Sequence, residues 1–289
     1  DTTPDAELLA AADANQLTTL EQVRAQAMRL LQTTNGKKKV RASLMRYSMS
    51  GVVQDFSMLP ADLKQGIQLD GLSSAITAET EAFIDHAVFT QKASFKTLLT
   101  SKDSFASHSG LATIYGHTPM TGTTPAMMSG RRQGLLMRSS FLSWPSNRTG
   151  IIRRGVNFQK RVLCNEIPPP STVIADLRDV DEFTEEEALL HTNREAVAHK
   201  TQQPLCMSCH ATINPTGFAF ENMDAFGRLR TTEQIFDKGV FVRTLPLNTS
   251  SQVPLAGGGS VSVQDAFDLI SFVSESNEGT SCFSRNVFR

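Results

Sequence analysis

The chain lacks the marks of several large functional classes. No stretch of eighteen apolar residues occurs among its 289 residues, so the sequence offers no membrane-spanning helix. No Lys/Arg run exceeds Lys37-Lys38-Lys39 and the net charge is -1, which removes the basic footprint of a nucleic-acid binder. Gly257-Gly258-Gly259 is a turn, too short and misplaced for a phosphate loop. No tandem repeat is found. Residues 1–100 hold no legible nucleophile–base pair or ligand cluster, and His86 there reads as an ordinary surface or core histidine. Asp1-Thr2-Thr3-Pro4 is neither a signal peptide nor an initiator start, which reads as a mature, processed or partial chain.

Cysteine is scarce as well, and two of the four fall in Cys206-Met207-Ser208-Cys209-His210. This is C-x-x-C-H, the attachment signature of c-type haem. Two thiols three residues apart on a helical turn can add to the two porphyrin vinyl groups, and the following His offers the iron an imidazole nitrogen. From composition, the motif arises by chance in roughly one chain in a thousand. Two other readings stand beside it. One is half of a zinc site, although adjacent Cys209 and His210 suit a tetrahedral ion poorly. The other is a pair of inert buried thiols.

The remaining pattern reads as mainly α. Thr3 with Pro4 opens a first helix running to about Asn15. Thr18-Thr19-Leu20-Glu21 is a capping box before the apolar face Leu20, Val23, Ala27, Leu30 and Leu31, and Gly36 stops that helix. A third helix covers about Val40 to Gly51. Leu72, Ile76, Phe83 and Ala87 line a long fourth, Phe95, Leu98 and Leu99 a short fifth, and Gly116 ends another at Leu111. Residues 117–134, with Met120, Met127 and Met128, read as a surface loop. Helical pattern resumes over residues 135–163, interrupted at Pro145. There Arg153 and Arg154 are either propionate partners or a solvated helix face. Pro168-Pro169-Pro170 is a stiff spacer. Thr184-Glu185-Glu186-Glu187 caps a helix expected to reach His199 or Lys200. After the haem motif, Asn214-Pro215-Thr216-Gly217 reads as a turn, and Phe218, Phe220 and Phe226 as either a porphyrin wall or ordinary core. Residues 229–247 suggest a hairpin. Ser262 and Asp265 precede a helix with Ala266, Leu269, Ile270 and Val273 inward.

The run CMSCHATINPTGFAFENMDAFGRLR, Cys206 to Arg230, resembles the haem segment of the planctomycete-type cytochrome c proteins, large secreted bacterial multidomain proteins of unknown function. Glu79–Phe83 and Leu111–Gly116 resemble the family's upstream helical domain. Gly134-Leu135-Leu136, Arg154-Gly155 and Leu163-Cys164 with the proline run resemble the start of its haem domain, and Arg194 to His199 its R-x-x-x-x-H stretch. Ser281 to Asn286 resembles its small C-terminal domain. Met223 stands where the family usually has Phe. The resemblance implies a helical domain over 1–130, a c-type haem domain over 131–232 and an incomplete C-terminal domain over 233–289, in a longer polypeptide or a divergent member. It implies electron transfer and no settled enzymatic activity.

The expected cofactor is therefore heme c, held by Cys206, Cys209 and His210. His199, a few residues before the motif, is the first candidate for the second iron ligand, with helix-end dipole stabilisation as its other reading. The methionines of 117–134 come next. An electron carrier is expected ahead of a haem enzyme with an open iron position or a structural module stapled by haem. Its partner would be a redox protein or a neighbouring haem domain, and its place the periplasm, outer surface or exterior of a bacterium. With Cys206 and Cys209 on haem, Cys164 and Cys282 remain for a disulfide in an oxidising compartment, or as two buried free thiols.

Overall fold

The structure, a computed structural model, describes residues 3–48, 55–146, 148–168 and 182–287. Among the described residues it is mainly α, about 52% helix against 10% strand. The chain opens with helices α1 (Ala6–Asp13), α2 (Leu20–Gln32) and α3 (Thr34–Tyr47). Asp5, not Thr3, caps α1: its carboxylate accepts from Leu8 N at 2.9 Å. The capping box of α2 is shifted by one residue, to Thr19 and Gln22. Thr33 rather than Gly36 separates α2 from α3, and its hydroxyl caps the latter. Gly36 lies inside α3 because the reversal is so tight that a Cβ there would sit 2.0 Å from the Leu30 carbonyl oxygen. Its glycine serves a close approach, not a helix stop. The expected end of the third helix, Gly51, falls outside the described residues.

Helices α4 (Ala61–Lys64), α5 (Leu72–Asp85), α6 (Phe95–Thr100) and α7 (Ser109–Tyr115) follow. Leu72, Ile76, Phe83 and Ala87 are all buried, as their spacing predicts. Gly116, in the left-handed region, ends α7. Residues 117–134 are not simply a surface loop: β2 (Ala126–Met127) pairs with β1 (Asp103–Ser104), and Met128, Arg132 and Gln133 are buried.

A 3-10 turn (Leu135–Met137) leads to α8 (Ser139–Leu142) and α9 (Ile151–Arg161). Arg154 on α9 is neither a solvated residue nor a free cation. It is fully buried, and its guanidinium donates to the carbonyls of Leu142, Phe220, Met223 and Asp224. Burial pushes its pKa down to about 10, partly offset by Glu221 at 3.7 Å. Arg132, also fully buried, donates to the carbonyls of Met137 and Gly227. The two guanidiniums thus add to the turn-type backbone bonds of the buried segment after the haem-motif helix: Phe220 O and Asp224 O also accept from Met223 N and Gly227 N. Phe220 and Phe226 belong to this packing. Phe220 meets Phe141 and Phe158, and Phe226 meets Phe56, so these two are core, not a porphyrin wall.

Pro169 and Pro170 of the expected spacer fall outside the described residues. The helix expected from Thr184 to His199 is two: α10 (Glu185–Ala188) and α11 (Asn193–Lys200), each with its own capping box. The break has a tertiary cause. Asn193 N donates to the buried Glu233 carboxylate at 3.0 Å and its side chain to Thr149, which pins the start of α11. Helix α12 (Pro204–Phe218) then carries the haem motif and runs straight through the expected turn at Asn214-Pro215. The proline costs α12 one hydrogen bond. Close packing against α9 offsets it: a Cβ on Gly217 would lie 2.4 Å from Ile151 O, and one on Gly155 2.3 Å from Ile213 O. The pairings 151 with 217 and 155 with 213 make the two helices antiparallel.

The expected hairpin is present as β3 (Thr232–Asp237) and β4 (Val240–Pro246), turned by Lys238 and Gly239, both at positive φ. A second hairpin joins β5 (Ser251–Pro254) to β6 (Ser260–Val263) through the turn expected at Gly257-Gly258-Gly259. Asp265, not Ser262, caps α13 (Ala266–Glu275), whose Ala266, Leu269, Ile270 and Val273 are buried as expected. In α14 (Asn277–Val287), Cys282 forms a disulfide with Cys164, just past α9, with a Cα–Cα distance of 5.4 Å. One apolar core takes side chains from α3, α5, α6, α9, β5, β6 and α13. A second lies between α4, α7 and Phe226.

Candidate functional site

Cys206, Cys209, His210, Ile213, Asn214 and Gly217 recur at i, i+3, i+4, i+7, i+8 and i+11 of α12, one stripe of the helix. The stripe changes character along its length. Ile213, Asn214 and Gly217 are buried against α9 and its neighbours, whereas Cys206, Cys209 and His210 are half-buried. Leu205 and Met207 beside the thiols are exposed. Both thiols are unpaired. The end of α12 that carries the motif therefore presents two thiols, an imidazole and apolar side chains at the surface.

The imidazole is oriented from behind. Thr201 Oγ1 donates to Val197 O at 2.7 Å, so it can only accept from Asn214. Asn214 Nδ2 makes that bond at 2.7 Å, which turns its Oδ1 toward His210 Nδ1 at 2.8 Å. An amide oxygen accepts only, so Nδ1 carries the proton and Nε2 keeps its lone pair. Asn214 and Thr201 are nearly fully buried. This relay was missed at the sequence level. Its signal is the i, i+4 spacing of His210 and Asn214, visible only if α12 is read through Pro215.

His199 lies on α11. Its ring stacks on Phe183 at 4.2 Å, and His191 stacks on the same ring at 4.1 Å. Gln202 Nε2 faces His199 Nδ1 at 3.4 Å. Helix α11 reaches α12 through Thr201 and Asn214, two residues beyond His199. A cavity of about 400 Å³ adjoins the stack, lined by Ile152, Phe183, Val197, Arg148 and Lys200 among others. Met128 sits in the second core and Met127 is exposed on β2. Arg153 lies over the Trp144 ring and donates to the carbonyls of Phe141 and Ser143. Among the described residues no three His, Cys, Asp or Glu side chains converge as one metal ion requires, Cys206, Cys209 and His210 included.

Two family models match the chain. Residues 132–233, which contain the motif, match PSCyt3, a protein family of unknown function (DUF1588). Residues 1–117 match PSD4, likewise of unknown function (DUF1592). Both are planctomycete cytochrome c domain families. No curated protein and no solved structure matches the chain. No helix among the described residues is long and apolar enough to cross a membrane.

Proposed function

We propose, from these two matches and from the orientation of His210, that the chain is an extracytoplasmic c-type cytochrome module that carries one covalent haem and transfers electrons. Cys206 and Cys209 form the two thioethers, and His210 Nε2 is the proximal ligand. The observation that carries this reading is the chain of bonds from Val197 O through Thr201 and Asn214 to His210 Nδ1. It fixes the tautomer and ring orientation that a ligating histidine needs, as outer-shell partners do at metal centres. A haem c held there supplies a one-electron iron couple. The half-exposed end of α12 leaves that couple within reach of a redox protein or a neighbouring haem domain. The Cys164–Cys282 bridge fits an oxidising compartment: periplasm, outer surface or exterior. The division into a helical domain over 1–130, a haem domain over 131–232 and a C-terminal domain over 233–289 belongs to the same proposal.

His199 is proposed as the second iron ligand, with its ring stacked on Phe183. That stack is also the observation favouring a second reading, a haem enzyme with an open iron position. The absorption spectrum of the loaded protein tests both. Low-spin haem that ignores cyanide supports electron transfer, and His199→Ala then converts it to high-spin. High-spin haem that binds cyanide in the unaltered protein supports the enzyme. A His210→Ala protein with an unchanged haem spectrum refutes the proximal assignment.

A further inference from the structure

The Cys164–Cys282 bridge is lopsided. Cys282, on α14, is 2% exposed, whereas Cys164, just past α9, is half-buried. A cavity of about 590 Å³ has Cys164 in its wall and not Cys282. Which sulfur a thiolate attacks depends on access. A nucleophile entering this cavity meets Cys164 Sγ, and Cys282 is then the leaving group.

The leaving side is furnished for a departing anion. Cys282, Arg285 and Asn286 stand at i, i+3 and i+4 of α14 and so share one face of it. Asn286 Nδ2 lies 3.3 Å from Cys282 Sγ and 3.2 Å from Cys164 Sγ, and it also donates to the carbonyls of Arg161 and Cys282. A thiolate leaves faster the lower the pKa of its thiol, and adjacent cations lower that pKa. Helix α14 is also held independently of the bridge. Phe283, next to Cys282, packs on Tyr47 and Phe95 with ring centroids 5.1 and 4.8 Å apart.

The cavity carries net positive charge. Lys160, Arg161 and Arg285 line it, and Glu166 is the one carboxylate in its wall. All three cations are exposed, and none forms an ion pair among the described residues. Glu278, one turn before Cys282, is turned to the Ala256 N–H instead.

We propose that Cys164 Sγ is a thiol-exchange site for a small anionic thiol, one bearing a carboxylate or a sulfonate. The incoming thiolate sulfur bonds to Cys164 Sγ, the bridge S–S bond breaks, and its electron pair stays on Cys282 as a thiolate. One disulfide bond replaces another, with no net oxidation. The Cys282 thiolate, kept in place through Phe283, can attack Cys164 Sγ in return and expel the added thiol, so the modification reverses. The inference is independent of the haem reading, since Cys206 and Cys209 take no part.

The test uses the folded full chain with Cys206 and Cys209 already on haem or alkylated. It is treated at low salt with anionic mercaptoethanesulfonate or with cationic cysteamine, at equal thiolate concentration, and quenched early with iodoacetamide. Peptide mapping should find the added thiol on Cys164 and the carbamidomethyl group on Cys282. The anionic thiol should react at least about tenfold faster, since three cations face one carboxylate in the cavity, and salt should erase the difference. Lys160→Glu/Arg285→Glu, at two exposed positions, should remove the preference. Four results overturn the proposal: a bridge that resists both thiols until denaturant is added, an adduct on Cys282, equal rates for the two thiols at low salt, or an anionic preference that the charge variant keeps.

Discussion

Replacing Asn214 by Leu tests the orientation of His210 without any cofactor. The amide makes two bonds in the relay, 2.8 Å to His210 Nδ1 and 2.7 Å to Thr201 Oγ1. Each contributes a net of about 0.5–1.5 kcal/mol, so the loss of both costs the fold about 1–3 kcal/mol. Thr201 keeps its bond to Val197, which holds the cost toward the lower end. The tautomer responds more specifically. One bond of that size biases protonation toward Nδ1 by roughly two- to twelve-fold, and leucine removes the bias. Nitrogen-15 chemical shifts of His210 in the haem-free protein read this directly. The unaltered chain should show a protonated Nδ1 and a pyridine-like Nε2 at a pH where the ring is neutral. Asn214→Leu should move both shifts toward those of an exchanging imidazole. A proton on Nε2 in the unaltered chain would refute the reasoning, because a ligand nitrogen must offer its lone pair.

Other outcomes follow from the packing. Cys164→Ala/Cys282→Ala opens a loop with a sequence separation of 118; the chain-entropy model puts the loss at about 5 kcal/mol, to be read from denaturant midpoints under non-reducing conditions. Gly217→Ala pushes a methyl to within 2.4 Å of Ile151 O, a backbone atom that cannot rotate away, so it should cost about 1–3 kcal/mol in the same assay. Asp5 is held at about 2 by Arg29 and by the Leu8 N–H. Its stabilising contribution is complete above the ordinary value of 3.8 and lost as pH falls through about 2. The Asp5→Asn protein should therefore lose the part of the acid-induced helix loss, followed by circular dichroism, that falls between those values.

Much of the helical frame was legible because a buried stripe leaves a local period. Leu72 to Phe83 on α5 and Ala266 to Val273 on α13 needed no distant partner to be read. Errors arose where a distant contact outweighed a local signal. Asn214-Pro215-Thr216-Gly217 has turn chemistry, yet Gly217 meets Ile151 and the helix persists. Gly36 looks like a stop and is a close approach to Leu30 O. Arg154 sits in a basic pair that reads as solvated or as a propionate partner, but besides Leu142 O its partners are carbonyls 66 to 70 residues away, which no local window contains. The C-x-x-C-H run at Cys206–His210 stands in the sequence itself. Its orienting residues were not legible there, because Asn214 and Thr201 join His210 only once α11 and α12 are packed.

The central claim is that Cys206, Cys209 and His210 hold a covalent haem. Intact-mass spectrometry of the denatured chain, produced in a host able to attach haem, tests it most directly. The account predicts an added mass of one haem, about 616 Da, on the unaltered protein and none on Cys206→Ala/Cys209→Ala. An unaltered protein at the bare chain mass from such a host, or the same added mass on the double variant, would contradict it.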